Sequence, residues 1–344
     1  MTYELLTGDA RDVLATLPAG SVQCVVTSPP YFGLRDYGTG DAQIGLEGTP
    51  DEYVAALVSV FRGVRRVLRD DGTVWLNLGD SYASAWACAR RNVVGAGSLE
   101  NGKRDARPDR LVGGLKEKDL IGIPWRVAFA LQADGWYLRQ DIIWHKPNPM
   151  PESVTDRCTK AHEYIFLLGK SARYYYDQDA VRETAKWQDP EMLITNAQAR
   201  QQKRLMDRLA AGDRAAIRTQ ADYRRAMDGE RKKGRGNDVN RERAFTENAM
   251  GRNKRSVWTV PTQPYPEAHF ATYPPELIRP CIQAGTRAGD TVLDPFSGSG
   301  TTGVVALQHG RRYIGIDLNP EYHALARKRL DPLAAQPRLI EVTT

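Results

Sequence analysis

The chain is poor in cysteine and contains neither long apolar runs nor low-complexity repeats. Its 344 residues include four cysteines, at positions 24, 88, 158 and 281, without CxxC spacing, which argues against a zinc knuckle or a disulfide framework. No apolar run approaches the ~20 residues of a membrane span, and the N-terminal segment carries acids where a signal peptide is apolar. A composition of 41% hydrophobic and 26% charged residues excludes a disordered or collagen-like chain. We therefore expect a soluble, cytoplasmic protein with reduced thiols and no metal site.

Positive charge is concentrated in one segment. The net charge is +6, yet residues 172–255 contain 20 Lys and Arg against 13 Asp and Glu, and the rest of the chain is nearly neutral. Few β-branched residues and many Arg and Gln predict helices there, followed by a mobile loop around 231–240. Such a charge run is either a solvated helical face or a surface that neutralises nucleic-acid phosphates. The candidate phosphate contacts are Arg231, Lys232, Lys233 and Arg235.

Outside that segment, strand-like and helix-like stretches alternate. The predicted strands cover residues 21–28, 73–81, 137–146, 162–170, 291–296 and 313–318, and the predicted helices 50–72, 120–135 and 299–310. This alternation predicts an α/β fold with a mostly parallel sheet and helices on both faces. Residues 92–118 are rich in Gly and charge without periodicity, which predicts a long mobile loop.

Two C-terminal features predict a nucleoside site. The sequence DPFSGSGTT at 294–302 follows an apolar strand and opens a helix, where glycines allow close backbone approach and the helix offers free N–H groups. Asp317 ends the next strand, where an acid can accept hydrogen bonds from a ribose diol. The lysine of a triphosphate loop is missing, and the acids would oppose a pyrophosphate. A nucleoside with a zwitterionic tail fits best, and S-adenosylmethionine is the common one.

The sequence TSPPY at 27–31 predicts a reactive corner at the end of a strand. Two prolines remove two N–H donors, so we expect the carbonyls of the turn to lack a partner within the chain. Ser28 Oγ and the Pro29 carbonyl can then accept both hydrogens of an exocyclic amine on cytosine or adenine, with Tyr31 stacked on the base. These contacts would aim the nitrogen lone pair at a methyl sulfonium, so catalysis would rest on positioning. The alternative is a plain diproline turn after a core strand.

Together, TSPPY and DPFSGSGTT resemble the DNA amino-methyltransferases, which methylate cytosine N4 or adenine N6. The catalytic motif precedes a variable segment and the cofactor motif comes last, which is similar to the circularly permuted order of the beta class. The resemblance covers roughly residues 5–179 and 257–330. It implies a Rossmann-like methyltransferase sheet with a catalytic half at 1–171, a mostly helical target-recognition insertion at 172–256 and an S-adenosylmethionine-binding half at 257–344.

The same resemblance assigns functional residues. The catalytic set is Ser28, Pro29, Pro30 and Tyr31. Asp9 is implied to lie near the cofactor adenosine, Asp317 to hold the ribose hydroxyls, and residues 269–272 to line the carboxylate end. The implied cofactor-binding set is Asp9, His269, Phe270, Thr272, Asp294, Phe296, Ser297, Gly298, Ser299, Gly300, Thr301, Thr302 and Asp317.

Other residues allow competing interpretations. Pro280-Cys281 and Glu247-Asn248 resemble motifs of the cytosine-C5 methyltransferases, but their order relative to the cofactor motif and to each other is reversed. Cys281 also has apolar helical spacing, which predicts a buried thiol. Asp80 either faces the pocket or caps the following turn, and His145 and Lys146 either contact phosphate or lie in a solvated loop.

These features predict a site-specific methyltransferase that flips one base out of duplex DNA and methylates its amino group. A serine before Pro-Pro-Tyr resembles the cytosine-N4 enzymes, with adenine N6 as the alternative. An RNA methyltransferase and a non-catalytic DNA-binding protein are less favoured, because both motifs are intact and resemble those of DNA enzymes. The expected partner is double-stranded DNA at the nucleoid. A second copy of the chain and a cognate restriction endonuclease are further candidates.

Overall fold

The computed structural model describes residues 2–33, 43–83, 114–183, 251–263 and 273–335. The chain divides into one compact unit formed by residues 1–177 and 255–344 and a second formed by residues 178–254. Within the described parts, none of the helices is both long and apolar enough to cross a membrane.

An eight-stranded sheet is the framework of the first unit, as seen in its described residues. The strand order is β1-β8-β7-β2-β3-β5-β4-β6. The strands are β1 (Tyr3–Thr7), β2 (Val22–Thr27), β3 (Leu68–Leu78), β4 (Tyr137–His145), β5 (His162–Gly169), β6 (Val257–Thr259), β7 (Thr291–Asp294) and β8 (Arg312–Asp317). All neighbours pair in parallel except β5, which is antiparallel to both β3 and β4. The prediction of a mostly parallel sheet is confirmed, and the reversed β5 was not predicted.

Six α-helices surround this sheet in the described residues. They are α1 (Ala10–Thr16), α2 (Pro50–Val67), α3 (Ile123–Ala133), α4 (Pro275–Gly285), α5 (Thr301–Gln308) and α6 (Pro320–Ala334). Local sequence explains where α2 begins, because Thr49 and Glu52 form a capping box around Pro50 at the first turn. The predicted helices are confirmed with tighter ends. Residues 68–72, predicted as the end of a helix, instead begin β3.

Successive residues of the central strands pack against different helices. Val25, Val74 and Leu76 belong to one core with buried residues of α1, α2 and α3. Their neighbour Cys24 faces the end of α4, where a Cβ added to Gly285 would lie 2.8 Å from its Sγ. Helix α5 packs against α4 and α6. Because successive strand side chains point to opposite faces, the helices cover both faces of the sheet, as predicted.

The second unit is described at its two ends. A 3₁₀ helix spans Asp179–Val181, and Glu183 and Arg252 exchange two backbone hydrogen bonds of 2.9 and 2.8 Å. The Glu183 carboxylate pairs with the side chains of Arg252 and Lys254. Residues 184–250, with Arg231, Lys232, Lys233 and Arg235, lie outside the described residues, as does 92–113 of the predicted loop.

Candidate active site at the carboxyl edge of the sheet

The two sequence motifs meet at one edge of the sheet. Val25 on β2 pairs with Leu293 on β7, and Asp294 pairs with Gly315 on β8, so these parallel strands end side by side. Ser28 directly follows β2, and Asp317 is the last residue of β8, with only β7 between them. Two strand spacings correspond to ~10 Å. The fold therefore brings the diproline corner and the predicted ribose acid to a common edge.

Asp294 fastens this edge from inside. The Asp294 Oδ1 accepts hydrogen bonds from Thr27 Oγ1 (2.6 Å) and the Phe296 N–H (3.1 Å), and its Oδ2 accepts from Thr302 Oγ1 (2.7 Å) and Tyr273 OH (3.2 Å). Burial raises the pKa of this carboxyl, and the hydrogen bonds from Thr27 and Thr302 oppose that shift. The predicted cofactor contact is thus only 2% exposed and occupied on both oxygens by the chain. Asp294 ties the end of β2 to the start of α5.

The hydroxyl groups of the glycine-rich loop also face the protein. Its buried hydroxyl-bearing residues are Ser297, Ser299, Thr301 and Thr302. Ser297 Oγ lies 2.8 Å from Tyr313 OH. Arg329 on α6 donates to both Ser299 Oγ and Thr301 Oγ1 at 3.0 Å. These side chains hold the loop in shape, and a ligand would meet the loop through Phe296 and the backbone at Gly298, which are only half-buried.

The two loop glycines serve different contacts. Both have positive φ, 49° at Gly298 and 75° at Gly300, a region that favours glycine. A Cβ at Gly300 would lie 2.9 Å from Ala326 Cβ on α6, whereas one at Gly298 would meet no heavy atom within 4 Å. The close approach predicted at Gly300 is therefore to a neighbouring helix, and the open side of the loop is at Gly298.

Asp317 has the environment of a ribose acceptor. The Gly298 N–H donates to its Oδ2 at 2.8 Å and the Asn319 N–H to its Oδ1 at 2.9 Å. Burial raises the pKa of Asp317 to about 6, and no ion pair with it is found among the described residues. Each oxygen keeps acceptor capacity, since an ionised carboxylate offers about four lone-pair sites. These residues fit the vicinal hydroxyls of a nucleoside.

Asp9 lies beside Asp317 but has another contact. Thr7, two residues earlier, is the register partner of Asp317. The Asp9 carboxylate caps α1 and accepts hydrogen bonds from the N–H (2.8 Å) and Nε (2.9 Å) of Arg11. The side-chain hydrogen bond from Arg11 lowers the pKa of Asp9. The residues implied for the carboxylate end, His269, Phe270 and Thr272, lie outside the described residues.

One carbonyl of the diproline corner has a partner within the chain. Tyr53 OH on α2 donates to the Pro30 carbonyl at 2.9 Å, so the expectation that all carbonyls of the turn are free was wrong. A distant side chain supplies the donor that the turn itself lacks. Among the described residues no hydrogen bond reaches the Pro29 carbonyl. The Ser28 hydroxyl donates to Tyr31 OH at 3.4 Å.

Sequence reasoning missed a polar group behind Tyr31. Tyr31 OH donates to Glu163 Oε2 at 2.7 Å and lies 3.2 Å from Asn77 Oδ1. Lys146 Nζ forms an ion pair with the other oxygen of Glu163. A usable signal was present, because Asn77 is the one polar residue in the apolar run VWLNL, and Glu163 opens the apolar strand HEYIFLL.

Asp80 and the end of β4 resolve two alternatives. Asp80 Oδ1 accepts from the N–H groups of Gly122 and Ile123, both at 3.0 Å, so the capping interpretation is confirmed at the start of α3. The solvated-loop interpretation of Lys146 is wrong, since its side chain is 19% exposed and paired with Glu163. His145 lies 3.1 Å from Thr259 Oγ1 on β6.

The Cys281 thiol is buried in α4, as expected, and lies 3.9 Å from the Leu277 carbonyl. We expect Cys281→Ala to retain methyl transfer within about twofold, because this sulfur has no path to a base. The free energy of unfolding should fall by ~1 kcal/mol, as for the loss of one buried methylene-sized group. Turnover and urea unfolding would measure the two effects. A covalent mechanism through Cys281 would instead abolish turnover at unchanged stability.

The sheet order and its carboxyl-edge site define a Rossmann-like methyltransferase with a permuted motif order. A DNA methylase family profile matches residues 22–328. The chain is 48% identical over 328 residues to Type II methyltransferase M.XycI of Xanthomonas campestris pv. cyanopsidis, which covers 95% of this chain and 87% of that protein. The chain belongs to the DNA methylase family.

Two solved structures share the fold. The PvuII DNA methyltransferase (cytosine-N4-specific) superposes with a TM-score of 0.58 at 17% identity, covering 99% of this chain and 88% of that one. A DNA modification methylase of Thermus thermophilus, solved with S-adenosyl-L-methionine and assigned that activity only provisionally, has a TM-score of 0.54 at 22% identity and covers 98% of each chain.

Proposed function

We propose that this DNA methylase transfers a methyl group from S-adenosylmethionine to N4 of a cytosine flipped out of duplex DNA. The observation that carries the proposal is the common edge of Ser28 and Asp317. Ser28 in place of an acid, and the likeness in fold to a cytosine-N4-specific enzyme, support cytosine over adenine. Base flipping follows because an amine inside a duplex cannot be reached in line.

In this proposal Asp317 accepts hydrogen bonds from the ribose hydroxyls, and Phe296 and the Gly298 backbone contact the nucleoside. When bound, S-adenosylmethionine supplies the electrophilic methyl group. The remaining predicted contacts, Asp9 and residues 269–272, would complete the adenosine and carboxylate ends. Asp294 and the loop hydroxyls act indirectly, because their hydrogen bonds hold Phe296 and the loop backbone in place.

Ser28 and Pro29 act on the amine. The lone pair of an exocyclic amine is delocalised into the base and is a poor nucleophile. Ser28 Oγ and the Pro29 carbonyl would accept its two hydrogens and turn the lone pair out of the ring plane. Pro30 holds the corner rigid through its bond from Tyr53, and Tyr31 supplies the ring against which the base stacks. Such positioned acceptors lower the barrier because they need no reorganisation during the reaction.

Duplex DNA is the proposed substrate, held through the basic insertion. The likeness to a Type II methyltransferase also leads us to propose a cognate restriction endonuclease in the same cell. A homodimer and a nucleoid location remain part of the same proposal.

Replacing Arg231, Lys232 and Lys233 together with alanine should weaken DNA binding to the same extent on any sequence. Each lost phosphate contact lowers the slope of log K against log salt by about one, so the triple variant should flatten that slope by up to about three. Fluorescence anisotropy from about 50 to 200 mM salt measures it, with Arg327→Ala/Lys328→Ala on the exposed side of α6 as the control. An unchanged slope would remove these residues from the interface.

Mass spectrometry of nucleosides tests the target base directly. Duplex DNA incubated with the protein and S-adenosylmethionine should yield N4-methylcytosine, and reactions without either component should not. N6-methyladenine would establish the alternative base for the same fold. Absence of any methylated nucleoside in DNA, with product in an RNA substrate, would contradict the proposal.

A further inference from the structure

The hydrogen bonds behind the diproline corner form a chain with a defined direction. It runs from Ser28 Oγ to Tyr31 OH (3.4 Å) and from Tyr31 OH to Glu163 Oε2 (2.7 Å). Glu163 lies on β5, the antiparallel strand, so it reaches the corner from the far side of β3. The Glu163 carboxylate is 14% exposed and its partner Lys146 is 19% exposed, so both groups are shielded from water.

The chemistry of each group determines where every hydrogen lies. An ionised carboxylate accepts hydrogen bonds and donates none, so the phenol must donate its single hydrogen to Glu163. Burial, and then the negative charge of Glu163, raise the pKa of the Tyr31 phenol well above its usual value, so that hydrogen is retained. The phenol oxygen is left as an acceptor for the Ser28 hydroxyl. Asn77 agrees with this direction, since its amide donates to the Tyr164 carbonyl at 3.0 Å and turns its oxygen toward Tyr31.

The direction of the chain matters at its open end. A serine hydroxyl has one hydrogen and two lone pairs. When that hydrogen points to Tyr31, both lone pairs of Ser28 Oγ are free, and no described residue donates to them. This is the state required to accept a hydrogen from the exocyclic amine. A reversed chain would aim the Ser28 hydrogen or a spent lone pair at the amine instead.

We propose that Glu163, held by Lys146, is a positioning residue that orients the Tyr31 phenol and keeps Ser28 Oγ a hydrogen-bond acceptor toward the target amine. The inference rests on the proposed function, because it assumes that Ser28 contacts the amine. It applies equally to cytosine and adenine. Glu163 touches neither base nor cofactor, and its influence passes through Tyr31.

Glu163→Gln tests the direction of the chain without changing its shape. Lys146 carries only donors, so it should hold the oxygen of the new side-chain amide and leave the amide nitrogen facing Tyr31. That nitrogen would donate to the phenol, and the phenol hydrogen would turn toward Ser28. We expect the single-turnover methyl-transfer rate at pH 8 and saturating S-adenosylmethionine to fall about 10- to 50-fold. The dissociation constants for DNA and cofactor should stay within about twofold.

A second substitution distinguishes orientation from simple structural damage. In Glu163→Gln/Lys146→Met the amide is free to rotate and offer its oxygen to Tyr31, so at least a fivefold recovery of rate is expected. Lys146→Met alone should cost a few-fold, because the carboxylate is less firmly held. Adding Glu163→Gln to Tyr31→Phe should have no further effect. Glu152→Gln, which breaks the comparable ion pair with Arg157, is the control and should retain the wild-type rate.

Several outcomes would overturn the inference. These are a wild-type rate in Glu163→Gln, a double variant with Lys146→Met that is as slow as or slower than the single one, and full activity in Tyr31→Phe. The last needs no change at Glu163, so it remains decisive if Glu163→Gln melts at a lower temperature. Failure of the proposed function would look different, because the wild-type protein itself would then give no methylated amine.

Discussion

Replacing Ser28 with alanine is expected to lower the single-turnover rate of methyl transfer by about 100- to 1000-fold, the usual effect of removing one positioned polar group at a reacting centre. The Ser28 hydroxyl follows β2 at the carboxyl edge and donates to Tyr31, which leaves its lone pairs for the amine. Alanine keeps the backbone and removes only the acceptor. The dissociation constant for S-adenosylmethionine should therefore change by less than about threefold.

Rapid-quench kinetics with labelled cofactor would measure the rate, and calorimetry the cofactor affinity. Ser21→Ala is a suitable control, because Ser21 precedes the same strand at its opposite end and bonds only to the Pro18 carbonyl in a turn. It should behave as the wild type. Equal losses of rate and cofactor affinity in Ser28→Ala would show that the corner supports folding of the cofactor site rather than the chemistry.

Replacing Asp317 with alanine should have the reverse pattern. Loss of hydrogen bonds between a carboxylate and two hydroxyls is expected to weaken S-adenosylmethionine about 10- to 100-fold, at ~1.5 to 3 kcal/mol for a charge-assisted bond. The transfer rate at saturating cofactor should change far less. Equilibrium dialysis measures the affinity, with Asp12→Asn on the exposed side of α1 as a control for loss of one acid. Unchanged affinity would place the ribose elsewhere.

The pKa of Asp317 adds a pH dependence whose sign can be derived. Without cofactor this pKa is raised to about 6, chiefly by burial, so the acid is mostly protonated at pH 5 and ionised at pH 7. Ribose hydroxyls donate to the ionised form and favour it. Cofactor affinity should thus be present above pH 6 and decline about tenfold between pH 7 and pH 5, one proton being taken up per site. In Asp317→Asn the dependence should disappear; its persistence would assign it to another group.

Much of the fold could be predicted because its signals are local. Apolar runs ending in TSPPY and DPFSGS are typical of strands that end at a ligand edge, and Thr49 with Glu52 explains the start of α2. The reversed β5 was not predictable in this way, because strand direction depends on which neighbours pair. Residues 68–72 were assigned to a helix since their charges suit an exposed helix end, but pairing with β2 draws Leu68 into β3.

Within the site, residue type alone was a poor guide to which groups face a ligand. Asp294 and the loop hydroxyls have the chemistry of cofactor contacts, yet their partners are Thr27, Tyr313 and Arg329, up to 267 residues away. Glu163 had no recognisable motif and reaches Tyr31 only through the pairing of β3 with β5.

The amino-acid sequence by itself determined the strands and helices, the permuted order of the motifs and the family, because periodicity and short motifs are properties of neighbouring residues. Only the tertiary structure decided which polar groups are spent inside the protein and which remain open at the sheet edge. The physical reason is that a buried donor or acceptor must find a partner, and that partner is chosen by strand order and helix packing rather than by sequence distance.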